Sequence, residues 1–524
     1  MSTAWKSPAR WQLCCLLIIG VFAWMIDLKG ITTDEGLRLW IINGGQPALP
    51  GDLALDATWA RVIAANAPYA YQPLYFLIQN GLMRLADSQS LLLFRSVNLV
   101  FLWIALQGLL ALSRDWRPSA RLFLLSLFSF NAYLFMHVLQ IREYTAGVAF
   151  YIWTSWLVLR LDARRLERPW ADTAWFTAYG MALVVGFYLQ SWTVFPTAAQ
   201  GLFLVLRRPG DRQRYYAYLA LTYVIVVTAV WPYLQDNQQK INIGLWAREQ
   251  EPIHKHLFTG FHLLLTGHLP GVYRLADGLF WFWSATLVGG LLWLLTDRTE
   301  INGKLPLREI RRQVLLLLLC LGISVAFQII YALKVENLSL WPRYFIIHYF
   351  FLMWLGALVF HRLLDLRAAA GGPSIARRVA TGVVAAMAVA LTVSMVFQIR
   401  SYRRDPMLDM AETVSSNWRI WAAELERILH PSDVVLMPDF IRRSTLTFTR
   451  PMTNRILLPD ELETSDLRNV GRLVYMEANE SLNERDQLLV RTNALGFSTW
   501  QAYQIKSPDG KTILPEWQII VFTR

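Results

Sequence analysis

The sequence predicts an α-helical polytopic membrane protein of about eleven transmembrane helices, followed by a small C-terminal α/β domain. Three observations carry that expectation. First, 55% of the 524 residues are hydrophobic and only 17% are charged, whereas a soluble domain carries about a quarter charged residues. Second, the mean hydropathy is +0.33, and the 23 Trp, 20 Tyr and 27 Phe suit aromatic belts at two interfaces better than one core. Third, apolar runs long enough to cross about 30 Å of hydrocarbon recur as far as residue 400 and then stop.

Those runs fall at 12–28, 91–112, 119–137, 144–161, 173–189, 191–206, 215–234, 279–297, 313–333, 344–362 and 379–398. The first lacks a small-x-small cleavage pattern at Trp24-Met25-Ile26-Asp27-Leu28-Lys29 and is kept as a permanent helix. Excess Lys and Arg stays on the cytoplasmic side. Lys6 and Arg10 precede the first run, and arginines cluster in alternate connections: Arg114, Arg117 and Arg121, then Arg160, Arg164, Arg165 and Arg168. Arg207, Arg208, Arg212 and Arg214 follow, then Arg298, Lys304, Arg308, Arg311 and Arg312, then Arg362, Arg367, Arg377 and Arg378. All fall inside if the N-terminus is cytoplasmic, which leaves the C-terminus outside, with a bacterial inner membrane as the expected setting. The net charge of +12 is thus spent on orientation, and no nucleic acid is expected.

Counting Pro73–Ala86 as a span would invert every later basic loop, so it reads as an amphipathic helix at the outer interface, with Gln79 and Arg84 toward the headgroups. Large outer loops at 29–90 and 235–278 result. The expected organisation is a transmembrane domain over 1–400 and a soluble extracytoplasmic α/β domain over 401–524. In the latter, 417–429 reads as a helix, and 434–437, 472–475 and 518–522 as strands. Cys14, Cys15 and Cys320 all lie in expected spans, so no disulfide framework is implied.

Asp34-Glu35 stands about six residues beyond the first run, and an acidic pair at a bilayer boundary is costly enough to suggest a task. Thr32-Thr33-Asp34-Glu35 also fits a capping box, a compatible role that would hold Asp34 rigidly near the surface. Next comes Tyr69-Ala70-Tyr71-Gln72-Pro73-Leu74-Tyr75-Phe76, whose aromatics suit interfacial anchoring. Leu93-Phe94-Arg95-Ser96, Arg142-Glu143-Tyr144 and Trp341-Pro342-Arg343-Tyr344-Phe345 bring three arginines to the same side as the acidic pair. Each alone reads as a snorkelling Arg beside an aromatic; together they suit a phosphate at the bilayer surface, which guanidinium forks bind through paired hydrogen bonds.

The order Asp-Glu, Gln-Pro-Leu-Tyr, Phe-Arg-Ser, Arg-Glu-Tyr and Pro-Arg-Tyr resembles the GT-C glycosyltransferases, in particular the protein O-mannosyltransferase and lipid A aminoarabinose transferase branch, over about the first 360 residues. The resemblance implies a catalytic Asp in the first outer loop and a polyprenyl-phosphate sugar donor. On it, Asp34 is the base with Glu35 as neighbour. Arg343, with Tyr344, Arg95 and Arg142, binds the donor phosphate, and Tyr71, Gln72, Tyr75, Glu143 and Lys255 are pocket candidates. Two departures stand out. Gln72 replaces a His common before Pro-Leu-Tyr, and Thr145-Ala146-Gly147 stand where the aminoarabinose branch has an Asp, which argues against that substrate.

The expected reaction is a single inverting displacement in which Asp34 takes the proton of an acceptor hydroxyl and arginines stabilise the departing lipid phosphate. No Asp-x-Asp pair or glycine-rich phosphate loop is present to hold a nucleotide sugar. No cofactor is called for; a divalent cation stays open, and His254-Lys255-His256 with Glu249 and Glu251 makes only a weak metal pattern. The expected partners are the lipid-linked donor, the bilayer, and a glycan, lipid or protein acceptor. The alternatives are a lipid-sugar flippase or transporter, against which the uncharged spans 215–234, 313–333 and 379–398 argue, and a polymerase or ligase using diphosphate-linked glycans. Trp418, Trp421, Trp500 and Trp517 could stack on sugars or fill the core of the outer domain.

Overall fold

The structure is a computed structural model, and it describes residues 7–26, 33–45, 58–67, 71–88, 90–163, 169–206, 212–238, 253–266, 273–299, 305–334, 342–369, 375–404, 424–437, 454–457, 459–477, 482–504 and 518–524. The chain divides into two compact units. One comprises Met1–Ile26, Tyr69–Tyr75 and Arg95–Asp405; the other comprises Asp27–Pro68, Phe76–Phe94 and Pro406–Arg524.

The first unit is helical. It contains α1 (Pro8–Met25), most of α5 (Leu91–Leu112), α6 (Pro118–Ser129), α7 (Ala132–Val138), α8 (Tyr144–Ala163), α9 (Pro169–Leu189), α10 (Val194–Val205) and α11 (Arg212–Gln238). It continues with α12 (Ile253–Thr266), α13 (Tyr273–Thr296), α14 (Leu307–Lys334), α15 (Ile346–Ala369) and α16 (Ile375–Arg404). Among the described residues, seven helices are long and apolar enough to cross a membrane: α1, α5, α11, α13, α14, α15 and α16.

At the centre of this unit is α15, which is buried almost along its whole length and packs against α6, α8, α13, α14 and α16. An α-helix that is apolar all round can be covered on every side. Phe123 of α6 stacks on Phe360 at 4.0 Å between centroids, with the rings 2° from parallel. Gly290 lets α13 approach, because a Cβ there would meet Val359 Cγ2 at 2.5 Å.

One predicted run is corrected. The segment 119–137 is not a continuous helix: Phe130 leaves the helical region at φ −101°, ψ 51°, and Asn131 starts α7 by accepting the Tyr133 N–H at 2.8 Å. The same Asn131 amide donates to Leu264 O of α12 at 3.0 Å, so a backbone carbonyl of another helix holds the break. The run 173–206 divides where expected, around Gln190, through a single 3-10 turn at Ser191–Thr193. Arginines that the sequence reads only as topology markers are paired in the structure. Arg117 bonds Asp365, and Arg312 bonds both Asp162 and Glu309. Arg214 meets Asp172 at 3.4 Å.

The second unit holds α2 (Thr33–Ile42), α3 (Trp59–Asn66), most of α4 (Pro73–Ala86), the first turn of α5 and the C-terminal residues. Gln79 overturns an expectation. It does not face headgroups but is fully buried, and its amide donates to Phe94 O at 2.9 Å. Neighbouring Asn80 donates to Ile42 O at 2.9 Å. The Asn80 bond satisfies a carbonyl at the C-terminal end of α2, where helical carbonyls lack intrahelical partners. Arg84 is exposed.

The C-terminal part is a five-stranded sheet in the order β2-β1-β3-β5-β4, with β1 at Val434–Leu436, β2 at Arg455–Leu457, β3 at Arg472–Glu477, β4 at Thr499–Gln504 and β5 at Gln518–Thr523. β1 runs parallel to β2 and β3, whereas β5 is antiparallel to β3 and β4. Both faces are covered. Val435, Val474, Ile519 and Val521 pack with Leu425 and Ile428 from a helical turn at 424–428. Leu436, Leu473, Ile520 and Phe522 pack with Leu488 of α17 (Leu482–Ala494) and Phe497. Burial on both faces explains why β1 and β5 read as unbroken apolar runs. Of the predicted helix 417–429, residues 417–423 lie outside the described residues.

Candidate active site

The helical unit gathers several of the expected residues at one end, where α1 finishes and α5 and α8 begin. Arg95, in the second turn of α5, is buried and donates from Nη1 to Ile26 O at 3.1 Å, at the C-cap of α1. One turn on, Asn98 joins three segments. Its Oδ1 accepts from Tyr75 OH at 3.2 Å, and its Nδ2 donates to His137 O at 3.4 Å and to Gln140 O. Thr145 Oγ1 also donates to His137 O, at 3.1 Å. The 137–145 segment between α7 and α8 is therefore pinned, and with it Arg142 and Glu143, both buried.

Aromatic edges line the same junction. The His137 ring lies edge-on to Tyr133 at 4.9 Å and to Tyr144 at 4.8 Å, and Tyr133 faces Tyr349 of α15 at 5.9 Å. A fully buried guanidinium such as that of Arg142 is costly unless hydrogen-bonded or charge-matched. Arg95 and Arg142 are thus not snorkelling side chains: both are interior groups, Arg95 in the second turn of α5 and Arg142 in the pinned connection before α8. Asn98, His137 and Gln140 belong to this junction too and were not singled out from the sequence, since a lone Asn or His in an apolar run has no periodic signature.

The remaining expected residues are placed as follows. Gln72 is buried; Tyr71 is half-buried, and its carbonyl accepts from Tyr233 OH of α11. Arg343 sits in a 3-10 turn, Pro342–Phe345, immediately before α15. Its neighbour Tyr344 stacks on Trp192 at 5.0 Å, next to the α9–α10 break. Phe345 is wholly buried and wedged over Gly260 of α12. Lys255 is exposed on α12.

Asp34 and Glu35 belong to the other unit, in the first turn of α2. Glu35 is fully buried, as is Arg38 three residues on, so α2 carries a buried acid and a buried base on one face. Thr32, the expected cap, lies outside the described residues. Among the described residues, no cluster of three or more His, Cys, Asp or Glu side chains could hold a metal ion.

No protein-family model matches the chain, and no curated protein matches it in sequence. Solved structures match it in three dimensions. ArnT from Cupriavidus metallidurans in the apo state is 12% identical, with a TM-score of 0.57 and 98% of each chain covered. The same protein bound to undecaprenyl phosphate gives a TM-score of 0.53 at the same identity and coverage. The apo oligosaccharyltransferase of Archaeoglobus fulgidus is 10% identical, with a TM-score of 0.50 over 97% of this chain and 74% of its own. The arabinofuranosyltransferase AftD from Mycobacteria gives 0.50 at 12% identity, over 98% of this chain and 40% of that one. The chain therefore shares the fold of these solved structures, and seven of its described helices are long and apolar enough to cross a membrane.

Proposed function

We propose that this protein is an inverting glycosyltransferase that moves a sugar from a polyprenyl-phosphate donor to an acceptor hydroxyl at the outer face of a bacterial inner membrane. The observation that carries this reading is the Asn98 junction, which holds two buried arginines at one end of a helical unit with the GT-C fold. The donor phosphodiester carries one negative charge and gains a second as the lipid phosphate departs, which suits forked, permanently charged groups on rigid elements. The undecaprenyl phosphate of a structure with the same fold supports the choice of lipid. In this reading the chain crosses about eleven times, its N-terminus is cytoplasmic and residues 401–524 form an extracytoplasmic domain.

Asp34 is the general base. It accepts the proton of the acceptor hydroxyl as that oxygen attacks the anomeric carbon, and Glu35, buried beside it, biases the local field. Arg343, with Arg95, Arg142 and Tyr344, stabilises charge growing on the departing phosphate, a preorganised contribution that needs no rearrangement during reaction. Tyr71, Gln72, Tyr75, Glu143 and Lys255 line the approach to donor or acceptor.

The test is transfer of labelled sugar from undecaprenyl-phosphate sugars to endogenous acceptors in membranes. Asp34→Asn should lower transfer by about 10²–10⁴-fold, the usual weight of general-base assistance, while donor still binds. Transfer equal to wild type would remove Asp34 as base. Movement of lipid across vesicles without sugar transfer would replace the enzyme by a flippase.

A further inference from the structure

One buried polar group near the Arg343 turn has no part in the proposal above. Gln190 closes α9 in extended conformation, and its side chain is wholly enclosed. Its Oε1 accepts from Tyr151 OH at 2.8 Å, two turns into α8 from Arg142-Glu143-Tyr144. The carboxamide lies against Gly147, where any Cβ would meet Oε1 at 2.7 Å and the Gln190 Cβ at 3.2 Å. Gly147 therefore leaves the room that Gln190 occupies. The Gln190 amide nitrogen has no hydrogen-bond partner among the described residues. Thr193 Oγ1, in the same 3-10 turn, is buried and in the same position. Between them Trp192 stacks on Tyr344, the residue after Arg343.

An amide enclosed this way, with one half tied and the other unmatched, is costly unless something else pairs with it. Flipping the amide does not help, because Oε1 would then be the orphan. A sugar hydroxyl, both donor and acceptor, satisfies either orientation, whereas a phosphate oxygen satisfies only one. Resting on the glycosyltransferase reading, we infer that Gln190, seated by Gly147 and Tyr151, is a specificity-determining residue that hydrogen-bonds a hydroxyl of the donor sugar, with Thr193 as a second contact.

The test compares binding of bare undecaprenyl phosphate with that of undecaprenyl phosphates bearing mannose, glucose, galactose or arabinose, on the full-length protein in detergent. At least one sugar-bearing lipid should bind wild type more tightly than the bare lipid. Gln190→Leu should weaken that binding about tenfold, the worth of roughly one hydrogen bond, and leave the bare lipid unaffected. Gly147→Ala, which displaces the carboxamide without changing it, should do the same. Equal weakening of both lipids would make the contact one to phosphate, and unchanged binding in both variants would make it structural; each overturns the inference. So would a wild type that binds no sugar-bearing lipid more tightly than bare lipid. Wild type that binds neither kind of lipid would instead remove the donor reading itself.

Discussion

Arg362 donates to Asp297 Oδ2 twice, from Nε at 2.9 Å and from Nη2 at 2.7 Å, tying the last turns of α15 to the end of α13. Both side chains are buried, and Asp297 Oδ1 also accepts the Thr299 N–H at 2.9 Å. Burial works to raise the Asp297 carboxyl, but the Thr299 N–H and Arg362 outweigh it and hold the group below the ordinary carboxylate range.

Removing one partner of this pair leaves a buried charge without compensation. Arg362→Ala should therefore destabilise the protein by about 3–5 kcal/mol, read as a lower thermal midpoint in detergent. The double variant Arg362→Met/Asp297→Leu should recover most of that loss.

The same pair sets a pH dependence. A carboxyl whose folded pKa is depressed contributes stability above its unfolded value, and that contribution disappears as pH falls through the folded one. The gap in thermal midpoint between wild type and Asp297→Asn should be full at pH 7 and close as pH falls below about 4. A gap that widens toward acid would contradict the assignment.

Gly260 and Phe345 link packing to the proposed donor site. A Cβ at 260 would meet the Phe345 ring at 2.4 Å, and Phe345 ends the turn that carries Arg343. Gly260→Ala should shift that turn at a cost of about 1–3 kcal/mol. It should raise the donor KM more than it lowers kcat, and steady-state kinetics with a lipid-linked sugar measures the split.

In the C-terminal sheet, β5 lies between β3 and β4, with Ile520 fully buried. Ile520→Ala should cost about 2–5 kcal/mol and speed limited proteolysis of the C-terminal residues. Val490 on α17 is 71% exposed, so Val490→Ala should stay within about 0.5 kcal/mol of wild type.

Hydropathy alone brings out most helices, because each must offer lipid or neighbouring helices a continuous apolar surface. Leu91–Leu112 and Pro73–Ala86 are legible to the residue. The break at Phe130–Asn131 is not, since what stabilises it is a hydrogen bond to Leu264 O, distant in sequence. β1, β3 and β5 are legible because neighbours cover them on both edges and both faces. β4 escapes because, as an edge strand paired only to β5, it keeps a mixed composition in Thr499–Gln504. β2 is only three residues long.

The site divides along the same line. That Arg95, Arg142 and Arg343 stand beside the starts of helices is legible in the order of the apolar runs, which hydropathy dictates residue by residue. That Arg95 and Arg142 are enclosed rather than snorkelling, that Asn98 ties their helices together, and that Gln190 keeps half an amide unmatched, are products of packing. Each depends on carbonyls, rings and a missing Cβ contributed by segments far apart in the chain, and no local pattern encodes such meetings.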